Sequence, residues 1–249
     1  MILLEVCANS ANSALAAQEG GALRVELCEN LHEGGTTPSH GQLLLARKRL
    51  NIDIYVLIRP RPGDFLYTNL EFEVMKADIK HCADMGCNGI VVGILNEDGS
   101  VDKQRCSELS QLAKEVGLAT TFHRAFDLCA DHYQALEDIS DMGFDRILTS
   151  GGKSTAIEGV AMIRHLVDKA GKRISIMAGS GINEHNAADL VRFTGVKEIH
   201  ASARTIEKSK MKYINDHILM SAHQRDDYII DETDANRVKG ILKAVRVNE

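Results

Sequence analysis

A chain of 249 residues with 44% apolar and 26% charged side chains has the make-up of an ordinary globular protein, without the bias of a disordered or fibrous sequence. Its formal net charge of −6 argues against nucleic acid or an anionic membrane as partner, since both demand a basic field, and no apolar run reaches the roughly 20 residues that span a bilayer. The opening MILLEVCANS lacks the basic start of an export signal, so the six cysteines, which form no CxxC pair, are expected as free thiols in a reducing, cytoplasmic setting.

Strand-like and helix-like segments alternate along the chain. A strand over 2–7 leads to a helix over 11–19, and a strand over 23–28 to a helix over 39–49 that Pro38 is placed to open. Strands follow at 53–59, 88–93, 118–123, 145–149, 173–178 and 197–201, separated by helices at 70–85, 102–115, 131–142, 155–169 and 184–194. Glycines such as Gly86 and Gly195 stand between a helix and the next strand, where a left-handed residue ends a helix without a Cβ clash. After the eighth strand comes a polar excursion over 203–230, placed to cover a site or to contact another subunit. A last helical pattern then carries Val238, Ile241, Leu242 and Val245 on one face. Eight strand–helix units in this length predict one (β/α)8 TIM barrel spanning 1–249. The rival doubly wound sheet would carry a Gly-rich fingerprint after the first strand, and VCANSAN is not one.

Successive strand residues face opposite sides, and the apolar parity of each strand decides which side is which. Leu4 and Val6 belong outside with Val25 and Leu27, which sends Glu5, Cys7, Arg24, Glu26 and Cys28 inward. The same logic points Arg59, His123 and His200 inward at the C-terminal ends of the third, fifth and eighth strands. The expected interior thus sets two arginines against two glutamates, either as a register-fixing charge network or as an active site at the face where barrel enzymes keep their chemistry.

Three loops invite an anion. RPRPGDF carries Arg59, Arg61 and Asp64 on a proline-spaced backbone, suited to a carboxylate or phosphate or equally to a solvated turn. AGSGIN, with Gly179 and Gly181, and HAS, with His200 and Ser202, follow strands seven and eight, where this fold commonly binds phosphate. TSGGKS offers Ser150 and Gly151, with Lys153 and Ser154 as further donors, but Ile147 stands where a P-loop needs glycine. No strand lysine is placed for a Schiff base, and no GxSxG or HExxH occurs.

The segments RVELC, EGGTTPS, IRPRPGDFLY, TFHRAFD, ILTSGG, MAGSGI and EIHASAR, in this order, resemble the CutC family, whose members are described as copper homeostasis proteins. The resemblance implies a cytoplasmic (β/α)8 barrel that assembles as a dimer or tetramer and binds copper, with Cu(I) the ion suggested and Cys7 and Cys28 the matching thiols. It assigns no reaction. One departure is Pro62, where the family loop has a second glycine and a backbone N–H to give.

Two functions follow. Inward thiols on neighbouring strands can share one soft ion such as Cu(I). Alternatively, the barrel is an enzyme for a small anionic or phosphorylated substrate, with Glu26, Arg59, His123 and Asp127 as catalytic candidates and Arg59, Arg61, Asp64, Ser150, Gly151, Gly179, Gly181, His200 and Ser202 as ligand contacts. A hard divalent ion on Glu5, Glu26 and His123 is another version of that reading. A metal ion or a small anion is the expected partner in either case.

Overall fold

The alternating apolar residues of the first eight strands close a parallel barrel in strict chain order. The computed structural model describes residues 2–215, 217–220 and 226–246. The strands are β1 (Leu3–Ala8), β2 (Arg24–Leu27), β3 (Asp53–Leu57), β4 (Gly89–Val92), β5 (Ala119–Phe122), β6 (Arg146–Thr149), β7 (Ser175–Gly179) and β8 (Glu198–Ala201). Between them run α1 (Ala11–Glu19), α2 (His40–Arg49), α3 (Asn69–Asp84), α4 (Lys103–Glu115), α5 (His132–Asp141), α6 (Val160–Ala170) and α7 (Ala187–Thr194). The predicted TIM barrel is the fold observed.

Local chemistry fixes where the helices begin. Thr68 and Glu71 form a capping box at the start of α3, and the Asp131 side chain accepts from two backbone N–H groups at the start of α5. Pro38 does not open α2: Ser39 is its N-cap and the helix starts at His40. The predicted helix over 155–169 begins only at Val160, because the residues after TSGGKS are spent in turns.

Outward residues such as Val6, Val25, Ile54, Ile90, Phe122 and Ile199 are fully buried against the helices and form the main core. Closure places Glu5 opposite His200 on β8 and opposite Arg24 on β2, so the inward residues of β1, β2 and β8 meet in one layer.

The interior is charged at its N-terminal end. Arg24 Nε donates to Glu5 Oε2 at 2.6 Å, and its Nη2 pairs with Glu198. Arg146 Nε lies 3.2 Å from Glu198 Oε2, and its Nη1 donates to Thr121 Oγ1 at 3.1 Å. Both guanidiniums lie against the Tyr55 ring, 5.0 and 4.9 Å from its centroid. A side chain at Gly89 would have its Cβ 2.5 Å from that ring, so this glycine makes room for Tyr55.

The second interior arginine is therefore Arg146, not Arg59, and Glu198 is a further carboxylate. Removing one member would strand a buried charge, which is strongly destabilising.

The excursion after β8 contains a small antiparallel sheet, a feature its polarity hid. β9 (Arg204–Lys208) pairs with β10 (Ile229–Thr233), and α8 (Ala235–Arg246) follows. β10 returns to the barrel at α1, where Asn9 Nδ2 donates to Asp231 O at 3.0 Å and Thr233 N to Ser13 Oγ at 3.1 Å. Residues 216 and 221–225 of the excursion lie outside the described residues. No helix among the described residues is long and apolar enough to cross a membrane.

Candidate functional site

Above the charged layer, the inward residues of β1, β2 and β8 converge. Cys7 Sγ and Cys28 Sγ are 3.8 Å apart, although Cys7 is in register with Glu26 and Cys28 lies one residue beyond the end of β2. Cys7, Glu26 and His200, all buried, each offer one ligand atom within 4.8 Å of the others. His200 is fixed by Glu5: its Nδ1 lies 2.8 Å from Glu5 Oε1, which leaves Nε2 3.3 Å from Glu26 Oε2. Gly179 belongs to this arrangement as space, since a Cβ there would come 2.5 Å from Leu148 Cδ1 and 3.2 Å from His200 Cβ.

The protonation states follow from burial and neighbours. Burial alone would lift the Glu5 carboxyl, but His200 and Arg24 outweigh it and hold its pKa at about 2. Burial pushes Glu26 up to about 7, with the imidazole of His200 opposing and Glu5 reinforcing. Burial opposes charge on His200, yet its hydrogen bonds to Cys7 and Glu5 and the charge of Glu26 raise its pKa well above the usual imidazole value. The hydrogen bond with Cys28 and burial both lift Cys7, which is a protonated thiol in the free protein.

These residues floor a cavity of about 770 Å³ at the C-terminal mouth of the barrel. Its wall includes Arg59 and Phe65 after β3, His123 and Arg124 after β5, Gly181 after β7, and Ser202 and Arg204 after β8. The excursion closes one side through Ile206, Ile229 and Asp231, and α8 contributes Arg237. Ser180 and Ala203, at the ends of β7 and β8, hold φ of +82° and +46°, left-handed conformations that non-glycine residues seldom adopt.

His123 stands on the wall rather than the floor. Its Nδ1 accepts from Ala125 N at 3.1 Å, its ring lies 4.7 Å from that of Phe65, and its buried Nε2 has no partner among the described residues. Burial and the charge of Arg59 drive its pKa down to about 3, so the ring is neutral. It is therefore not part of the ligand group with Glu5 and Glu26, where His200 stands instead. Arg59 clasps its own loops, donating to Glu33 O at 2.9 Å, Gly35 O at 2.6 Å and Gly63 O at 2.7 Å.

Other sequence candidates lie elsewhere. Arg61 is engaged with Asp64 at 2.9 Å and Glu71 at 2.6 Å, and neither Arg61, Asp64 nor Pro62 lines the cavity. The TSGGKS loop already holds an anion, the buried carboxylate of Asp127. It accepts from Thr149 Oγ1 at 2.5 Å and from Ser150 N, Ser150 Oγ and Gly152 N at 3.0 Å each. Arg124 Nε adds an ion pair at 2.8 Å. Asp127, Ser150 and Gly151 thus lie behind the cavity wall, and the loop's donors are turned toward this carboxylate. The residues that sequence reasoning missed are Arg146 and Glu198 within the barrel and Arg124, Arg204 and Arg237 at the mouth.

A family model described as the CutC family matches residues 2–205, ending at the start of β9. A curated relative from Chromobacterium violaceum, named a family protein CutC, is 47% identical over 98% of each chain. A human relative, named copper homeostasis protein cutC homolog, is 44% identical over 99% of this chain and 89% of its own. The crystal structure of a Streptococcus agalactiae protein titled CutC superposes with a TM-score of 0.77 at 35% identity, covering 81% of this chain and 99% of its own.

Proposed function

The chain belongs to the CutC family, and we propose that it serves copper homeostasis in the cytoplasm by binding Cu(I) at Cys7 and Cys28 with His200 as third ligand. The observation that carries this reading is the 3.8 Å separation of the two thiol sulfurs, with the buried imidazole of His200 within 4.8 Å of Cys7. With metal–thiolate bonds of about 2.3 Å, two sulfurs would stand about 4.6 Å apart on a linear ion, about 4.0 Å on a trigonal one and about 3.8 Å on a tetrahedral one. The pair therefore suits three or four ligands, and His200 supplies the next one. Thiolate and imidazole are both suited to copper, and a reducing compartment supplies Cu(I).

Binding would displace the thiol protons and the Nε2 proton of His200, and leave Glu5 holding the far side of the imidazole, the usual second partner of a metal-bound histidine. A homo-oligomer belongs to the same proposal. Tyr213, Ile214, Ile218, Leu219 and Met220 on the excursion leave apolar side chains in solvent, supporting a self-association that sedimentation can measure.

Anaerobic titration with Cu(I) against a chromophoric chelator tests the copper reading. Wild type is expected to withdraw one ion per chain and the Cys7→Ser, Cys28→Ser double variant none. Equal withdrawal by both refutes it.

A further inference from the structure

One metal ion on the floor leaves most of a 770 Å³ cavity to be filled, and that volume is in the range of small-metabolite pockets. The charge of the lining is distinctive. Its fixed cations are all arginines, Arg59, Arg124, Arg204 and Arg237, against the carboxylates of Glu26 and Asp231, in a chain whose net charge is −6. A concave basic mouth on an acidic protein concentrates anions.

The arginines divide by how firmly they are engaged. Arg59 and Arg124 are held by loop carbonyls and by Asp127. Arg204 and Arg237 are about half and one-third exposed, and their ion pairs among the described residues are long, 3.9 Å to Asp231 and 3.3 Å to Glu184, while Arg237 Nη1 donates to Arg204 O at 2.5 Å and ties the two residues together. They stand beside the ends of β7 and β8, where the N–H groups of Gly181 and Ile182 enter none of the hydrogen bonds among the described residues. Across the mouth, on the β3 and β5 side, Arg59 and His123 are each about 95% buried and line the cavity, and Arg59 Nε and His123 Nε2 lack hydrogen-bond partners among the described residues. Because His123 Nδ1 accepts from Ala125 N, the neutral ring carries its proton on Nε2. A buried donor without an acceptor is destabilising unless a ligand completes it.

We propose that this cavity binds a small phosphate monoester. Its phosphoryl group meets Arg204, Arg237 and the β7–β8 backbone, and a hydroxyl or carbonyl oxygen at its other end accepts from His123 Nε2 and Arg59 Nε. A phosphoryl group is favoured over a carboxylate because its three terminal oxygens accept from guanidiniums and backbone N–H groups arriving from different loops. The site lies above the thiols and does not depend on copper being bound to them.

Calorimetric titration of the metal-free full chain with glycerol 3-phosphate, at constant ionic strength set with chloride, tests the proposal. Wild type is expected to bind it more tightly than inorganic phosphate and malonate. The Arg204→Gln, Arg237→Gln variant, its fold checked by circular dichroism, should weaken glycerol 3-phosphate and inorganic phosphate at least tenfold. His123→Asn should weaken glycerol 3-phosphate alone. No heat with wild type, undiminished affinity in the arginine variant, or malonate binding as tightly as glycerol 3-phosphate overturns the site, and an unaltered His123→Asn overturns the second contact. Because this titration and the Cu(I) titration use the same metal-free wild type with different probes, either can fail while the other succeeds.

Discussion

Glu5 and His200, 195 residues apart in sequence, are 2.8 Å apart inside the barrel, carboxylate Oε1 to imidazole Nδ1. The contact decides which ring nitrogen faces Cys7 and Glu26, and His200 together with Arg24 on the other carboxylate oxygen keeps Glu5 ionised. Glu5→Gln preserves the shape but removes the charge. Partners of this kind behind a metal-bound histidine are worth about 10–100-fold in affinity, so Cu(I) binding by Glu5→Gln is expected to weaken by that factor. Arg24 also loses a charged partner, and the melting temperature should fall. Wild-type Cu(I) affinity in this variant would show that the ring needs no such anchor.

His200 itself is the proposed third ligand. In His200→Gln the two thiols remain, so one Cu(I) per chain should still bind, with affinity at least tenfold lower. X-ray absorption at the copper edge should lose the scattering of an imidazole ring. A spectrum identical to wild type would remove His200 from the ligand set.

Asp127 gathers the TSGGKS loop, and its loss leaves buried N–H groups of Ser150 and Gly152 without acceptors. Asp127→Ala is expected to destabilise the chain by about 3–5 kcal/mol. At this length that lowers Tm by about 10 °C, measured by calorimetry. Cu(I) affinity of the folded fraction should match wild type. A variant with wild-type Tm and impaired copper binding would instead place Asp127 in the site.

How much of this was legible in the sequence depends on how far apart the partners lie. Leu4 and Val6, or Val25 and Leu27, announce the outer face of their strands, so Glu5, Cys7, Glu26 and His200 could be assigned to the interior from parity alone. Parity does not report depth along the barrel. Arg146 enters the deepest layer from a strand whose inward residues were not singled out, Glu198 lies two residues before His200 on the same strand, and together they displaced Arg59 from its expected role. Asp127 is separated from Ser150 by 23 residues, and only the fold reveals that the loop's donors already have an anion. Likewise Arg204 and Arg237 meet at the cavity only because β9 pairs with β10, with Lys208 opposite Ile229 across a long polar stretch. Composition could not announce that pairing.

His123 gives the pH dependence a sign. Its folded pKa of about 3 lies below the ordinary imidazole value of 6.5, so between these values the unfolded chain takes up a proton that the folded chain refuses. Stability from this residue is complete above pH 6.5 and is lost as pH falls toward 3, by up to about 1.4 kcal/mol per pH unit. Carboxylates titrate in the lower part of the same window, so the informative quantity is the difference between wild type and His123→Asn, which cannot protonate. Denaturant unfolding at pH 7.5, 6.0 and 5.0 should show the variant less stable or equal at the highest pH and gaining on wild type by about 1–2 kcal/mol at the lowest. Parallel pH profiles would mean that the folded protein protonates His123 as readily as the unfolded chain, which a neutral ring packed against Phe65 beside the Arg59 charge does not allow.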